Sequence, residues 1–509
     1  MTNTSEEQQT KIIIDNDHTA QLISSKYNLK LIDKLLSYKE EGIEYSPRFQ
    51  NSSWDGTQHL MTKAGRFAIG LIDKVKAHLE ENEVEVILED KRKKSTRNAS
   101  IDLLPIFAKD GIVPRDYQLE AVEKAYNAPL GRGIVKAATG AGKTKIIALL
   151  LAKFNTKTVI NVVGLDLLDQ FYEEMNHLFP DETIGYIGNG KVIIGDRFTI
   201  CSIWTSGSAL NLSKKEMTTD DEIVSELPVS TQDKIKIINL LKEAELHIFD
   251  ECHVCSCGTI QSIYKNINPK YIFGFSGTPH RAMNTGTDLI TTGILGPIVF
   301  NITASSLIKR GVIAKPVIKF VHVPHLTNQG QTYQEVYKNY IVESDLRNNL
   351  IVSNAKNLLD KKYTVLVLFK TIKHGEILKE KFAEANIKVE FLSGKDNLEK
   401  RDLVKKRISS GESNIVISST IFDVGLDLPI LSAVILTGSG KGYVKALQRV
   451  GRVIRGYTSP DGVKKTSAAV VEFMDNCKYL KQHSLKRYEI YKTEEEFKII
   501  TCESMKKFI

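Results

Sequence analysis

The chain has 509 residues, 42% hydrophobic and 26% charged, a globular rather than a disordered or fibrous composition. That length asks for about three separate cores. No apolar run approaches the roughly 18 residues of a membrane span. The first ten residues are polar and acidic rather than leader-like, and six cysteines without a secretory start do not form a disulfide framework. The whole of the net charge of +8 sits in residues 311–509, where 33 Lys and Arg meet 22 Asp and Glu. Such a basic stretch points to a polyanion.

Residues 1–105 read as a small α+β domain. Lys11–Ile14 has the look of a strand, Leu31, Ile32, Leu35 and Leu36 recur at helical spacing, as do Leu71, Ile72, Val75 and Leu79, and Glu83–Leu88 alternates like a strand. Between the helices lies a turn-rich stretch with Arg48 and Trp54, residue types that contact a nucleic-acid backbone and base. A Trp filling a small core is the other reading. The basic run 91–97 reads as a linker.

From about residue 112 the texture changes to short β-branched runs alternating with helical stretches. Ile134–Val135, Thr158–Val163, Thr199–Ile203, Leu246–Phe249 and Tyr271–Phe275 form the first series. A polar insertion covers Ser213–Asp233. Thr364–Phe369, Lys388–Leu392, Asn414–Ser418, Ala433–Leu436 and Ala468–Phe473 form the second. The fold class expected is α/β, two parallel-sheet domains in tandem over 106–310 and 311–480. A basic helical tail is expected over 481–509.

Three motifs carry chemistry. The strand at Ile134–Val135 runs into Thr139-Gly140-Ala141-Gly142-Lys143-Thr144 and then an apolar helix. The glycines let backbone N–H groups converge on phosphate oxygens at a helix start. Lys143 supplies a charge for the β- and γ-phosphates and Thr144 a hydroxyl for Mg²⁺. The second motif, Asp250-Glu251-Cys252-His253, closes another apolar strand, where parallel sheets bind ligands. Asp250 is the second candidate Mg²⁺ ligand, and Glu251 the group that activates water. Cys252, His253, Cys255 and Cys257 also form a metal-like cluster, but in no common zinc spacing. The third motif, Gln448-Arg449-Val450-Gly451-Arg452-Val453-Ile454-Arg455, spaces arginines by three along a helix. Guanidinium groups suit the charge on a transferring phosphoryl group.

Together these motifs resemble those of superfamily 2 helicases, collinear over about residues 114–456. The resemblance implies two RecA-like domains that sandwich ATP and Mg²⁺. It makes Arg115 and Gln118 the adenine-recognising positions and Arg452 and Arg455 the arginine fingers. His253, Ser276 and Thr278 then couple nucleotide state to strand movement, with Gln448 assisting. Phe369–His374 is similar to a fourth motif. Thr420, with Gly425 and Asp427, is similar to a fifth that touches nucleic acid and nucleotide, and Gln170 falls in the first strand-binding motif.

A narrower likeness, carried by Ser46–Phe49, Trp54–Gly56, Phe67–Leu71 and residues 474–491, is to phage recombination helicases of the UvsW type. It implies an ATP-dependent DNA helicase or translocase on branched or forked DNA, in fork regression, branch migration and strand annealing. The expected location is cytoplasmic, host cytoplasm for a phage protein, with no membrane. The alternatives left open are an ATP-gated nucleic-acid clamp without translocation and an RNA helicase. Oligomeric state has no signature in the sequence.

Overall fold

A computed structural model describes residues 9–39, 43–45, 47–93, 97–213, 226–280, 286–324, 332–394, 396–419, 428–438, 440 and 443–501. The chain divides into two compact units, 1–137 with 142–301, and 138–141 with 302–509.

In the first unit a four-stranded sheet runs in the order Arg66–Ala68, Thr19–Ile23, Lys11–Ile14 and Ile87–Asp90. Alternation along these short strands sends Ile12, Ile14, Ala20 and Leu22 inward. They meet Ile32 of the helix Lys26–Leu35 and Val75 and Leu79 of Ile72–Glu81. Ser25 starts the first helix by accepting the Asn28 N–H on its side chain. The strand expected at 83–88 begins at Ile87, where register with Lys11 starts. Glu83 lies before it in the left-handed region at φ 62°, just past a helix end.

This small body is seated on its neighbour rather than tethered to it. A Cβ on Gly70 would come within 2.1 Å of the Thr292 carbonyl, on the helix Gly286–Leu295. The buried Arg132 donates from Nη1 to the Ile294 carbonyl at 3.0 Å and from Nη2 to that of Asp17 at 2.5 Å. The core of this sheet also takes in Leu130, with Leu289 packed against it, and residues 1–105 fall within the first compact unit.

The main sheet of that unit has eight described strands, in the order Lys191–Ile193, Gly185–Gly188, Phe198–Ser202, Thr158–Val162, Leu246–Asp250, Tyr271–Ser276, Arg132–Ala137 and Ile298–Ile302. Its central pairings are parallel, and the middle strands are buried on both faces. Parallel strands covered by helices must be apolar throughout. Their C-terminal ends share one edge, which brings Ala137, Asp250 and Ser276 to adjacent strand ends.

The second unit has seven described parallel strands in the order Glu390–Leu392, Ile415–Ser419, Val365–Phe369, Ala433–Leu436, Ser467–Met474, Lys315–His322 and Lys498–Ile500. Of the segment 481–509 expected as a basic helical tail, the structure describes residues up to 501. The helix Lys478–Lys492 buries Leu480, Ser484, Arg487 and Tyr491, and Lys498–Ile500 pairs with Val317–Lys319 at the sheet edge. Its lysines face water while its other face completes the core, which a charge count does not separate. Both units are α/β with parallel sheets.

Candidate active site

The phosphate loop is built by a strand, a turn and a helix. Arg132–Ala137 ends at Ala137, and Lys143–Phe154 begins directly after Gly142. Gly140 and Gly142 hold φ of 89° and 80°, a region in which L side chains are strained and glycine is not. A Cβ at Gly142 would also stand 2.5 Å from Gln118 Nε2, so the end of that side chain would have to shift. Gln118 is buried, and its Oε1 accepts the Arg115 N–H at 2.9 Å. The residue expected at the adenine therefore also caps its own helix and supports the loop. Arg115 is exposed and donates from Nη1 to the Tyr117 hydroxyl at 3.1 Å.

Three motifs converge on Glu251. Lys143 Nζ donates to its Oε1 at 2.7 Å. His253 Nδ1 lies 3.2 Å from its Oε2, and Ser276 Oγ donates to the same oxygen at 3.3 Å. Ser276 Oγ in turn accepts the Thr278 N–H at 3.1 Å. The backbone explains how one carboxylate reaches so many partners. Glu251 sits at φ 50°, ψ 49°, a left-handed conformation that turns the chain sharply off the strand Leu246–Asp250. Such a conformation costs a non-glycine residue on the order of 1–3 kcal/mol and collects at functional sites.

Electrostatics follow from this arrangement. Burial works against the Glu251 carboxylate, but the Lys143 ammonium and His253 hold it well below the usual range. Burial also opposes the charge on Lys143, and Glu251 and Asp250 raise its pKa nevertheless. Burial pushes Asp250 up to about 6, against the pull of Lys143. Among the described residues Asp250 Oδ1 is buried without a hydrogen-bond partner. A buried anionic oxygen is costly unless a cation satisfies it, and a carboxylate oxygen of this kind suits a hard cation such as Mg²⁺; Thr144 is half-buried on the first turn of the helix Lys143–Phe154.

The cysteine cluster resolves differently. Cys252 and Cys255 are buried in the apolar core of the unit, and burial pushes both thiols up. Soft-metal ligation needs thiolates, whereas these side chains behave as small hydrophobes.

In the second unit the helix Tyr443–Ile454 turns Ala446, Val450 and Val453 into the core. Arg449 and Arg452 are themselves largely buried, and Gln448 and Arg455 half-buried. Lys465 is pushed down to about 8 by burial and by the charge of Arg455. His374 is a core histidine, fully buried with Nε2 3.0 Å from Asn348 Oδ1.

The expected residues are thus divided. Lys143, Thr144, Gly142, Asp250, Glu251, His253, Ser276, Thr278, Arg115 and Gln118 belong to the first unit. Gln448, Arg452 and Arg455 belong to the second, with which Thr139, Gly140 and Ala141 group as well. Gln170 is exposed on the helix Leu165–Leu178. Trp54 is half-buried and donates its indole N–H to the Thr57 carbonyl at 2.9 Å. Arg48 lies on the short helix Pro47–Gln50, with its side chain outside the described set. Thr420, Gly425 and Asp427 lie outside the described residues. In the sequence Ser276 is a coupling residue by resemblance alone, and its bond to Glu251 has no local signal. The support that Gln118 gives Gly142 has no sequence signal, because contact between residues 24 positions apart is set by packing.

Three family models match the chain in succession. "DNA helicase UvsW, N-terminal" covers residues 14–89, "Type III restriction enzyme, res subunit" 111–281, and "Helicase conserved C-terminal domain" 348–457. The chain is 26% identical over 494 residues to the ATP-dependent DNA helicase uvsW of Enterobacteria phage T4, covering 90% of this chain and 92% of that one. It is 25% identical to the DNA 3'-5' translocase XPB2 of Sulfurisphaera tokodaii, covering 70% and 82%. Among solved structures it is similar in fold to S. cerevisiae Dbp5 bound to RNA and ADP BeF3, with a TM-score of 0.52 at 14% identity, covering 81% and 96%.

Proposed function

Because this chain belongs to the superfamily 2 helicases of the UvsW type, we propose that it is an ATP-dependent DNA helicase and translocase acting on branched or forked DNA. The observation that carries the reading is the Glu251 hub, in which the phosphate-loop lysine, the acidic strand end and Ser276 share one carboxylate. A group tied to both Lys143 and Ser276 registers the arrival of a triphosphate and passes the change toward the segment that follows Ser276.

The residues divide the work as follows. Gly140, Ala141 and Gly142 present backbone N–H groups to phosphate oxygens, with the helix start behind them. Thr139 lines the loop, and Gln118 and Arg115 face the base. Lys143 shifts from Glu251 toward the β- and γ-phosphates. Thr144 and Asp250 hold Mg²⁺, which supplies neutralisation of phosphate charge when bound. Glu251, freed of Lys143, orients water and takes its proton. His253, Ser276, Thr278 and Gln448 relay the change. Arg452 and Arg455 stabilise charge on the transferring phosphoryl group, a role worth roughly 10³–10⁵ in turnover in phosphoryl-transfer enzymes. DNA is held mainly through its backbone, with Arg48, Trp54, Gln170 and Thr420 as contacts, and Gly425 and Asp427 linking strand to nucleotide.

ATP hydrolysis and strand displacement on forked DNA, a Holliday junction, single-stranded DNA and structured RNA test this reading. Hydrolysis activated most by forks and junctions, with displacement of a labelled strand, is expected. Hydrolysis without displacement would favour a clamp. Activation by RNA above DNA would reassign the substrate.

A further inference from the structure

Between the strand Ala433–Leu436 and the arginine helix Tyr443–Ile454 the described residues are Thr437, Gly438 and Gly440. Side chains from three helices outside the motifs reach the carbonyl oxygens of these residues. Arg347, on the helix Asp345–Asp360, donates from Nη1 to the Thr437 carbonyl. The Tyr337 hydroxyl lies 3.5 Å from the Gly438 carbonyl. Arg487, on the helix Lys478–Lys492, donates from Nη1 to the Gly440 carbonyl at 3.3 Å.

Both arginines are anchored at the C-terminal end of one strand, Ser467–Met474, and at the residue after it. Arg347 Nε donates to Asp475 Oδ1 at 2.8 Å. Arg487 Nε donates to Glu472 Oε2 at 3.1 Å and its Nη2 to the Phe473 carbonyl at 3.3 Å. Tyr491 donates to the other Glu472 oxygen at 2.8 Å. Arg347, Arg487 and Glu472 are exposed by no more than 2%.

Charges taken so far from water are retained only when fully partnered, and apolar residues of similar size often stabilise as well. Retaining them here gives a fixed direction to each planar guanidinium fork. Tight packing adds a second constraint. A Cβ on Gly438 would stand 2.5 Å from the Tyr337 hydroxyl.

We propose that Arg487, with Arg347 and Tyr337, forms a carbonyl clamp that positions the arginine helix, so that the C-terminal helix Lys478–Lys492 controls ATP turnover without touching nucleotide. The inference rests on the reading that Arg452 and Arg455 act in turnover. Arg487 is in these terms a positioning residue. Its fork reaches Glu472, Phe473 and Gly440 together, and a lysine ammonium in its place keeps the charge but not that reach.

The test uses the full chain and forked DNA, with kcat counted per nucleotide-binding site so that misfolded molecules do not contribute. Arg487→Lys is expected to lower kcat about tenfold while KM for ATP and nucleotide Kd stay within about twofold. An unchanged kcat per site would overturn the clamp. If Arg487→Lys binds no nucleotide, Tyr337→Phe decides, because it removes a single hydroxyl. A fall in kcat of about threefold, with Kd unchanged, is expected, and wild-type turnover would overturn the proposal. A wild-type chain with no ATP hydrolysis removes the underlying reading itself, a result distinct from an active wild type with an indifferent variant.

Discussion

Lys143 Nζ and Glu251 Oε1 are joined at 2.7 Å, across 108 positions of sequence. The pair neutralises two half-buried charges, and His253 and Ser276 occupy the other carboxylate oxygen. Glu251→Gln keeps the shape and removes the base. It is expected to bind nucleotide normally and to lose roughly 10²–10⁴ in turnover, measured by single-turnover hydrolysis alongside nucleotide titration.

Gly142→Ala meets two obstacles, φ of 80° and Gln118 Nε2 at 2.5 Å. A destabilisation of about 1–2 kcal/mol is expected from the backbone, with a loss in nucleotide affinity because the strained φ and the displaced end of Gln118 disturb the loop. Thermal denaturation and nucleotide titration measure the two effects separately.

Arg452→Ala is expected to reduce kcat by about 10³ or more with little change in nucleotide Kd, since a finger acts on transition-state charge. Parallel measurement of kcat and Kd distinguishes this from a ground-state contact, which would weaken binding and leave kcat alone.

His247 is fully buried with Nε2 3.2 Å from the Leu241 carbonyl, and burial pushes its pKa down to about 4. The unfolded chain takes up a proton here below about pH 6.5, whereas the folded chain does so only near 4. The neutral ring's contribution is therefore complete above 6.5 and is lost as pH falls from 6.5 to 4, to a limit of about 3 kcal/mol. Thermal midpoints over that window should fall less steeply in His247→Gln than in the wild type.

Much of this was legible because buried parallel strands must be apolar. Runs such as Thr158–Val162 and Val365–Phe369 stand out from the polar helix faces around them. Gly185–Gly188 and Lys498–Ile500 did not stand out, being short strands fixed by their neighbours rather than by their own composition. In the helix Lys478–Lys492 a charge count does not separate the exposed lysines from the buried face. Arg487 counts as a surface cation in a composition window, yet it is buried against Glu472, whose strand supplies the compensating charge. Lys143 and Glu251 were each recognisable from their flanks. That Glu251 also binds Ser276 depends on the parallel register of Leu246–Asp250 with Tyr271–Phe275, which no local pattern specifies.

The most direct test of the account is ATP turnover by Lys143→Ala in the presence of forked DNA. The predicted result is abolished hydrolysis with DNA affinity largely retained, because backbone contacts to DNA do not pass through the phosphate loop. Hydrolysis at the wild-type rate would contradict the assignment of the triphosphate to Lys143 and Glu251.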